Sequence, residues 1–239
     1  MGPVQCEHDL PAFAIGRRPV GPGPTRSASA RGTADAVSEA FKSVMLFGAP
    51  GVGKGTQGKI LGAIPGFYHT ACGDLFRSID RESELGRVFA QYSSRGELVP
   101  DDVTVRMWRS AIGDRVRDGF YTPDRDLLIL DGIPRTVEQA GIMDGLIEVL
   151  AIVHLVCPNP EPMFERMRLR ALKENRADDA DPDVIRNRWS VYERETAPVL
   201  EHYDRGLILE IDALGTPAQV LRRVLEKLEP VHSAHFDVD

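Results

Sequence analysis

Gly48-Ala49-Pro50-Gly51-Val52-Gly53-Lys54-Gly55-Thr56-Gln57 decides the fold. It follows the apolar run Val44-Met45-Leu46-Phe47 and opens a helix-like stretch. A buried strand, a glycine-rich turn and a helix start are therefore predicted in that order. The spacing Gly-x4-Gly-Lys in that context is a phosphate-binding loop. Its glycines let backbone N–H groups turn inward, and the helix N-terminus adds partial positive charge. Lys54 can then reach a phosphate in transfer. The hydroxyl residue that usually follows the lysine is Gly55 here, with Thr56 one place later. Gly55 has no side chain to hold Mg²⁺, so a carboxylate elsewhere is needed. Asp131 ends the apolar run Leu127-Leu128-Ile129-Leu130 and is the candidate, acting through water.

Working outward, further apolar runs occupy residues 67–70, 151–156 and 207–211. Such runs suit strands buried on both faces of a parallel sheet. Helix-like stretches separate them at roughly 55–63, 73–94, 101–117, 136–149, 160–172, 183–203 and 216–228. The alternation predicts an α/β fold, a five-stranded parallel sheet flanked by helices with right-handed crossovers.

Residues 1–40 differ from the rest. Five glycines and five prolines interrupt any period there, and 19–24 read Pro-Val-Gly-Pro-Gly-Pro. This segment is expected to be a disordered extension. Pro11 and Gly16 cut its apolar patch too short for a secretory signal. Its arginines suit a transit peptide, but Glu7, Asp9, Asp35 and Glu39 do not. A single folded domain is expected over 41–230, with a tail at 231–239.

Composition narrows the classes of function. The chain has 239 residues and a net charge of −7, which makes it a poor default binder of nucleic acid. No apolar run approaches the length needed to span a bilayer. Three cysteines without a Cys-x-x-Cys pair argue against both a disulfide framework and structural zinc. The six histidines show no ligand or triad spacing. Basic residues are mostly arginine, 24 against 5 lysines. Arginine's rigid fork suits phosphate. A cytoplasmic protein acting on small molecules is expected.

From Gly48 to Tyr203, five blocks resemble the adenylate kinase family of nucleoside monophosphate kinases. They are Gly48–Gln57, Gly73-Asp74-Leu75-Phe76-Arg77, Gly96-Glu97-Leu98-Val99-Pro100, and Asp131-Gly132-Ile133-Pro134-Arg135-Thr136 with Gln139. The fifth comprises Arg176-Ala177-Asp178-Asp179, Arg186-x-Arg188, Tyr192, Thr196, Pro198 and Tyr203. The resemblance covers residues 43–228 and implies reversible phosphoryl transfer, ATP + AMP to two ADP, with Mg²⁺ as cofactor. It implies donor contacts at Gly51, Val52, Gly53, Lys54, Gly55, Thr56, Arg166, Arg170 and Gly215. On the acceptor side it implies Cys72, Arg77, Glu97, Leu98, Val99, Gly132, Ile133, Pro134, Arg135 and Gln139, with Arg176 and Arg188 closing from the lid. Lys54, Arg135, Arg176 and Arg188 are the expected catalytic charges. The acceptor-binding segment spans about 71–100. A short lid spans about 170–183, too poor in Cys and His for zinc. A monomer is expected.

Three residues bear on the acceptor. Cys72 occupies a place where the family more often has a hydroxyl, and Ile133 replaces an aromatic. Both keep UMP, CMP or GMP open as acceptors. Gln139 favours adenine, because an amide can donate and accept together against the N1 and N6 edge. An inactive nucleotide-binding module is the alternative of a different class; the intact set of cationic residues and Asp131 argues against it.

Overall fold

The computed structural model describes residues 40–80, 82–159, 161–174 and 181–237. Its centre is a parallel sheet of five strands: β1 (Phe41–Phe47), β2 (Phe67–Ala71), β3 (Leu127–Asp131), β4 (Ile147–Val156) and β5 (Ile208–Asp212). The order across the sheet is β2-β3-β1-β4-β5, and every pair is parallel. The predicted fold class is thus present, with each strand within a few residues of its expected place.

Period-two alternation explains why these strands are apolar throughout. Met45, Phe47, Leu128, Leu130 and Ile152 face one layer, where Trp108, Ile112, Tyr121 and Met143 pack against them. Val44, Leu46, Ile129, Val153 and Leu155 face the other, against Leu61, Met163, Val220, Val224 and Leu228. A strand covered on both faces must be apolar at successive positions.

The helices are α1 (Lys54–Leu61), α2 (Cys72–Arg77), α3 (Glu84–Ser93), α4 (Asp101–Arg117), α5 (Val137–Met143), α6 (Glu161–Glu174), α7 (Pro182–Val191) and α8 (Pro217–His235). Their starts follow local chemistry. Ser83, Thr136, Asp181 and Thr216 each accept a backbone N–H at a helix entry. Thr216 and Gln219 form a reciprocal capping box with Pro217 at the first turn.

Four expectations differ in extent. The helix expected over 73–94 is two helices, α2 and α3. Between them Asp80 accepts from the Glu82 N–H, and the Ser78 and Ser83 hydroxyls bond nearby carbonyls, which competes with helix propagation. The helix expected over 136–149 stops at Met143. From Ile147 onward the chain is already strand, because Ile147 pairs with Phe41. The helix expected over 183–203 widens by one residue at Tyr192–Thr196 and tightens at Ala197–His202. Pro198 has no N–H for a regular turn and crowds the preceding one, which accounts for that irregularity. The expected tail at 231–239 is helical through His235 despite Pro230. His232 stacks between Phe67 and Phe236, and Phe236 is buried, so packing outweighs the lost hydrogen bond. The N-terminal extension to residue 39 and the middle of the expected lid lie outside the described residues.

Candidate nucleotide cleft

The sheet register builds the site. Leu46 pairs with Asp131, and Ala71 pairs with the same residue from the other side. The phosphate loop, Cys72 and Asp131 therefore emerge side by side at the carboxyl ends of β1, β2 and β3. Ligands of open α/β sheets bind in this crevice. A cavity of about 750 Å³ opens there. A smaller hollow of about 400 Å³ lies over Gly62–Tyr68 and Arg115, away from the loop.

Glycine is required in the loop for space as well as conformation. Gly48 and Gly51 have φ of 135° and 81°, and a Cβ there would meet the Leu155 and Met163 carbonyl oxygens at 2.4 and 2.7 Å. Lys54 Nζ donates to the Gly48 and Ala49 carbonyl oxygens at 2.5 and 3.1 Å, curling over the loop it follows. Burial pulls the Lys54 ammonium down to about 8. Asp131 opposes that shift, while Arg135, Arg188 and Arg170 reinforce it. The lysine thus lies within the field of one carboxylate and three guanidinium groups. Incoming phosphates would complete the balance of charge.

Two more glycines make room for arginines. A Cβ on Gly73 would meet Arg77 Nη2 at 2.9 Å, and one on Gly132 would meet Arg135 Nη2 at 2.8 Å. Arg77 pairs with Asp74 at 2.8 Å, and Arg135 Nε donates to the Gly132 carbonyl at 2.9 Å. Both guanidinium groups are held folded back on their own turns, at the cavity wall. On α7, Arg188 packs its stem on Gly96, where a Cβ would lie 2.8 Å from Arg188 Cγ. Asn187 also donates to the Arg95 carbonyl. Helix α7 thereby touches the turn at Arg95 and Gly96.

Residues expected on the donor side line the cavity: Gly51, Val52, Gly53, Lys54, Gly55, Thr56, Arg166, Arg170 and Gly215. So do Cys72, Arg77, Glu97, Leu98, Val99, Asp131, Gly132, Pro134, Arg135, Gln139 and Arg188. Ile133 does not: its side chain is 2% exposed and belongs to the core. A branched aliphatic fits that packed layer, and no side-chain contact with a ligand follows. Arg176 lies outside the described residues. Cys72 is buried, and burial pushes its thiol up to about 11, so it presents a neutral, weakly polar surface.

The metal question turns on the donor set. Among the described residues no cluster of three or more His, Cys, Asp or Glu side chains could hold an ion. Asp131 is a lone carboxylate whose Oδ2 would lie 3.4 Å from a Cβ on Gly55. The absent side chain leaves open space between loop and carboxylate. That arrangement fits Mg²⁺, which keeps several waters and takes one or two carboxylates plus substrate phosphates.

Sequence reasoning missed Asp101. It follows the Gly96–Pro100 block and reads as an ordinary acidic residue in a first helical turn. Its carboxylate accepts from Gln139 Nε2 at 2.6 Å and from Thr136 Oγ1 at 2.9 Å. It also missed Gln57, which is buried and donates to the Pro217 carbonyl at 3.1 Å, tying α1 to the start of α8 beside Gly215.

Residues 46–207 match the family described as Adenylate kinase. The chain is 40% identical over 192 residues to an adenylate kinase of Nocardia farcinica (strain IFM 10152), covering 77% of this chain and 98% of the relative. It is 37% identical over 193 residues to an adenylate kinase of Kocuria rhizophila, covering 78% and 98%. A third, from Thermobifida fusca (strain YX), is 36% identical over 193 residues, covering 78% and 97%.

Proposed function

The chain belongs to the adenylate kinase family, and from that membership we propose how its residues carry out transfer of the terminal phosphoryl group of ATP to AMP, giving two ADP. The observation that carries the reading is a single cavity lined by the phosphate loop, five arginines and a buried glutamine amide.

The β,γ-phosphates of ATP occupy the loop from Gly51 to Thr56, held by its inward N–H groups. Lys54 leaves the Gly48 and Ala49 carbonyls for the transferring phosphoryl group. Arg166 and Arg170 cover the donor, and Gly215 lies against its base. Arg77 and Arg135 grip the AMP phosphate, with Glu97, Leu98, Val99, Gly132, Pro134 and Cys72 around the nucleoside. Arg188, and Arg176 from the lid, complete the cluster.

Transfer breaks the bond between the γ-phosphorus and the ADP oxygen. It forms one between that phosphorus and an AMP phosphate oxygen. The attacking oxygen is already anionic, so no general base is needed. Catalysis is then alignment plus neutralisation of charge, and the convergent cations supply both. Asp131 would hold Mg²⁺ through water. Bound there, the ion would supply neutralisation of charge on the donor phosphates. Closing Arg188 and the acceptor loop over the substrates excludes water, which would otherwise hydrolyse ATP. We take the protein to act as a monomer. No helix among the described residues is long and apolar enough to cross a membrane. We take the location as cytoplasmic.

The test is product formation from ATP, Mg²⁺ and AMP, CMP, UMP or GMP, with Lys54→Met alongside. Turnover confined to AMP, reduced on the order of 10²–10³-fold by Lys54→Met, is expected. Preference for another acceptor would overturn the assignment of Gln139. ATP binding without turnover would mark an inactive module.

A further inference from the structure

Gln139 is 1% exposed, and both ends of its amide are already engaged. Its Oε1 accepts the Arg135 backbone N–H at 2.8 Å, and its Nε2 donates to Asp101 Oδ1 at 2.6 Å. Thr136 Oγ1 bridges the same group, donating to Asp101 Oδ2 at 2.9 Å and accepting the Gln139 backbone N–H at 3.0 Å. A backbone N–H only donates, and a carboxylate only accepts. The amide therefore has one satisfied orientation. Turned over, it would set Oε1 against the carboxylate and its NH₂ against an N–H.

This leaves one Nε2 hydrogen and one Oε1 lone pair for the cavity that Gln139 lines. Together they match a ring nitrogen acceptor beside an amino donor, the N1 and N6 edge of adenine. A 6-oxo purine presents the opposite pair, N1–H and O6. It could be read by the same glutamine only after the amide turned over.

We propose that Asp101 is a positioning residue for acceptor selectivity: by accepting from Gln139 Nε2 it locks the amide in the orientation that reads 6-amino and refuses 6-oxo purines. The proposal rests on the reading of Gln139 as the contact to the acceptor base. Asp101 stands at the first turn of α4, directly after the acceptor-side loop. It is remote in sequence from the glutamine, so the lock is made only when the two segments pack.

The experiment compares AMP with IMP as acceptors, measuring ADP and IDP by chromatography, for the wild type, Asp101→Asn, Gln139→Ala and the double variant. Asparagine can donate to a turned-over Oε1, so it releases the lock without emptying the space. Asp101→Asn is expected to lower the AMP-to-IMP ratio of kcat/KM about tenfold, from the size of one charge-assisted hydrogen bond. The change should fall on KM for the acceptor more than on kcat. In the Gln139→Ala background the same substitution should move the ratio by less than about twofold. Asp101→Glu, which keeps a carboxylate, should retain most of the ratio. Asp101→Ser serves as the releasing variant if the asparagine protein does not fold.

An equal loss of kcat with both acceptors and an unchanged ratio would make Asp101 merely structural and overturn the proposal. Collapse of the ratio in Gln139→Ala but not in Asp101→Asn would overturn the role of Asp101 alone. An unchanged ratio in Gln139→Ala would overturn the base reading and the proposal together.

Discussion

Replacing Gly58 by alanine should destabilise the protein, although alanine is the better helix former. Gly58 and Gly62 are one turn apart on the side of α1 that lies over β2. His69 of β2 fills the notch they leave. A Cβ on Gly58 would stand 2.2 Å from His69 Nε2 and 2.5 Å from Cδ2, while one on Gly62 would stand 2.6 Å from His69 Cβ. The imidazole has little room to retreat, because Asp131 Oδ2 lies 3.7 Å from its Nε2 and the side chain is about nine-tenths buried. The added methyl is more than about 1 Å short of ordinary contact, so helix, strand or ring must shift. Overpacking of this kind costs about 1–3 kcal/mol, against about 1 kcal/mol gained from helix propensity.

A net loss of up to about 2 kcal/mol is expected, or up to roughly 8 °C in Tm for a domain of this size. In a His69→Ala background the clash is gone and only the propensity gain remains. There Gly58→Ala should stabilise by about 1 kcal/mol. The assay is urea unfolding of all four proteins followed by far-UV circular dichroism, with thermal melts in parallel. The sign reversal is the diagnostic. If Gly58→Ala stabilises both backgrounds equally, additive within about 0.5 kcal/mol, the notch does not constrain the core and the reasoning fails.

Two further outcomes concern the loop and the last helix. Lys54 is pulled down to about 8 in the free enzyme, so its positive charge is lost as pH rises through that value. The profile of kcat/KM for ATP, which reports the free enzyme, should therefore fall above about pH 8, whereas kcat at saturating nucleotide should hold to higher pH. In Lys54→Arg, whose guanidinium stays charged, that alkaline limb should vanish; a flat wild-type profile between about pH 7 and 9 would contradict the buried-lysine reading. Thr216→Ala removes the capping box of α8 and should cost about 1 kcal/mol, seen as a Tm lower by roughly 2–4 °C. An unchanged melt would mean that α8 is held by Val220, Val224 and Leu228 alone.

Much of this molecule is legible locally. The loop Gly48–Gln57 can be read from neighbouring residues alone, because glycine geometry, one lysine and a flanking apolar run define a phosphate site within ten positions. The strands are legible because burial on both faces demands unbroken apolar runs, and alternation with helices then implies a parallel sheet. Boundaries were less legible where long-range pairing or packing overrides local preference. Ile147 becomes strand because Phe41 lies beside it, and α8 passes Pro230 because His232 and Phe236 bury against Phe67.

The candidate site divides along the same line. The chain's own order of residues sets which cations and amides exist, and their blocks identify the family, because those groups act through chemistry carried by each side chain. Tertiary structure alone decides how they are poised. The order β2-β3-β1-β4-β5 brings Asp131 opposite Gly55 and beside Cys72. Packing of α4 on α5 sets Asp101 on Gln139 and so gives a symmetric-looking amide a single orientation. Ile133 is taken into the core rather than the cavity wall. The physical reason is range: backbone conformation and charge are properties of a few neighbouring residues, whereas hydrogen-bond partners and excluded volume are settled by segments that meet only when the sheet closes.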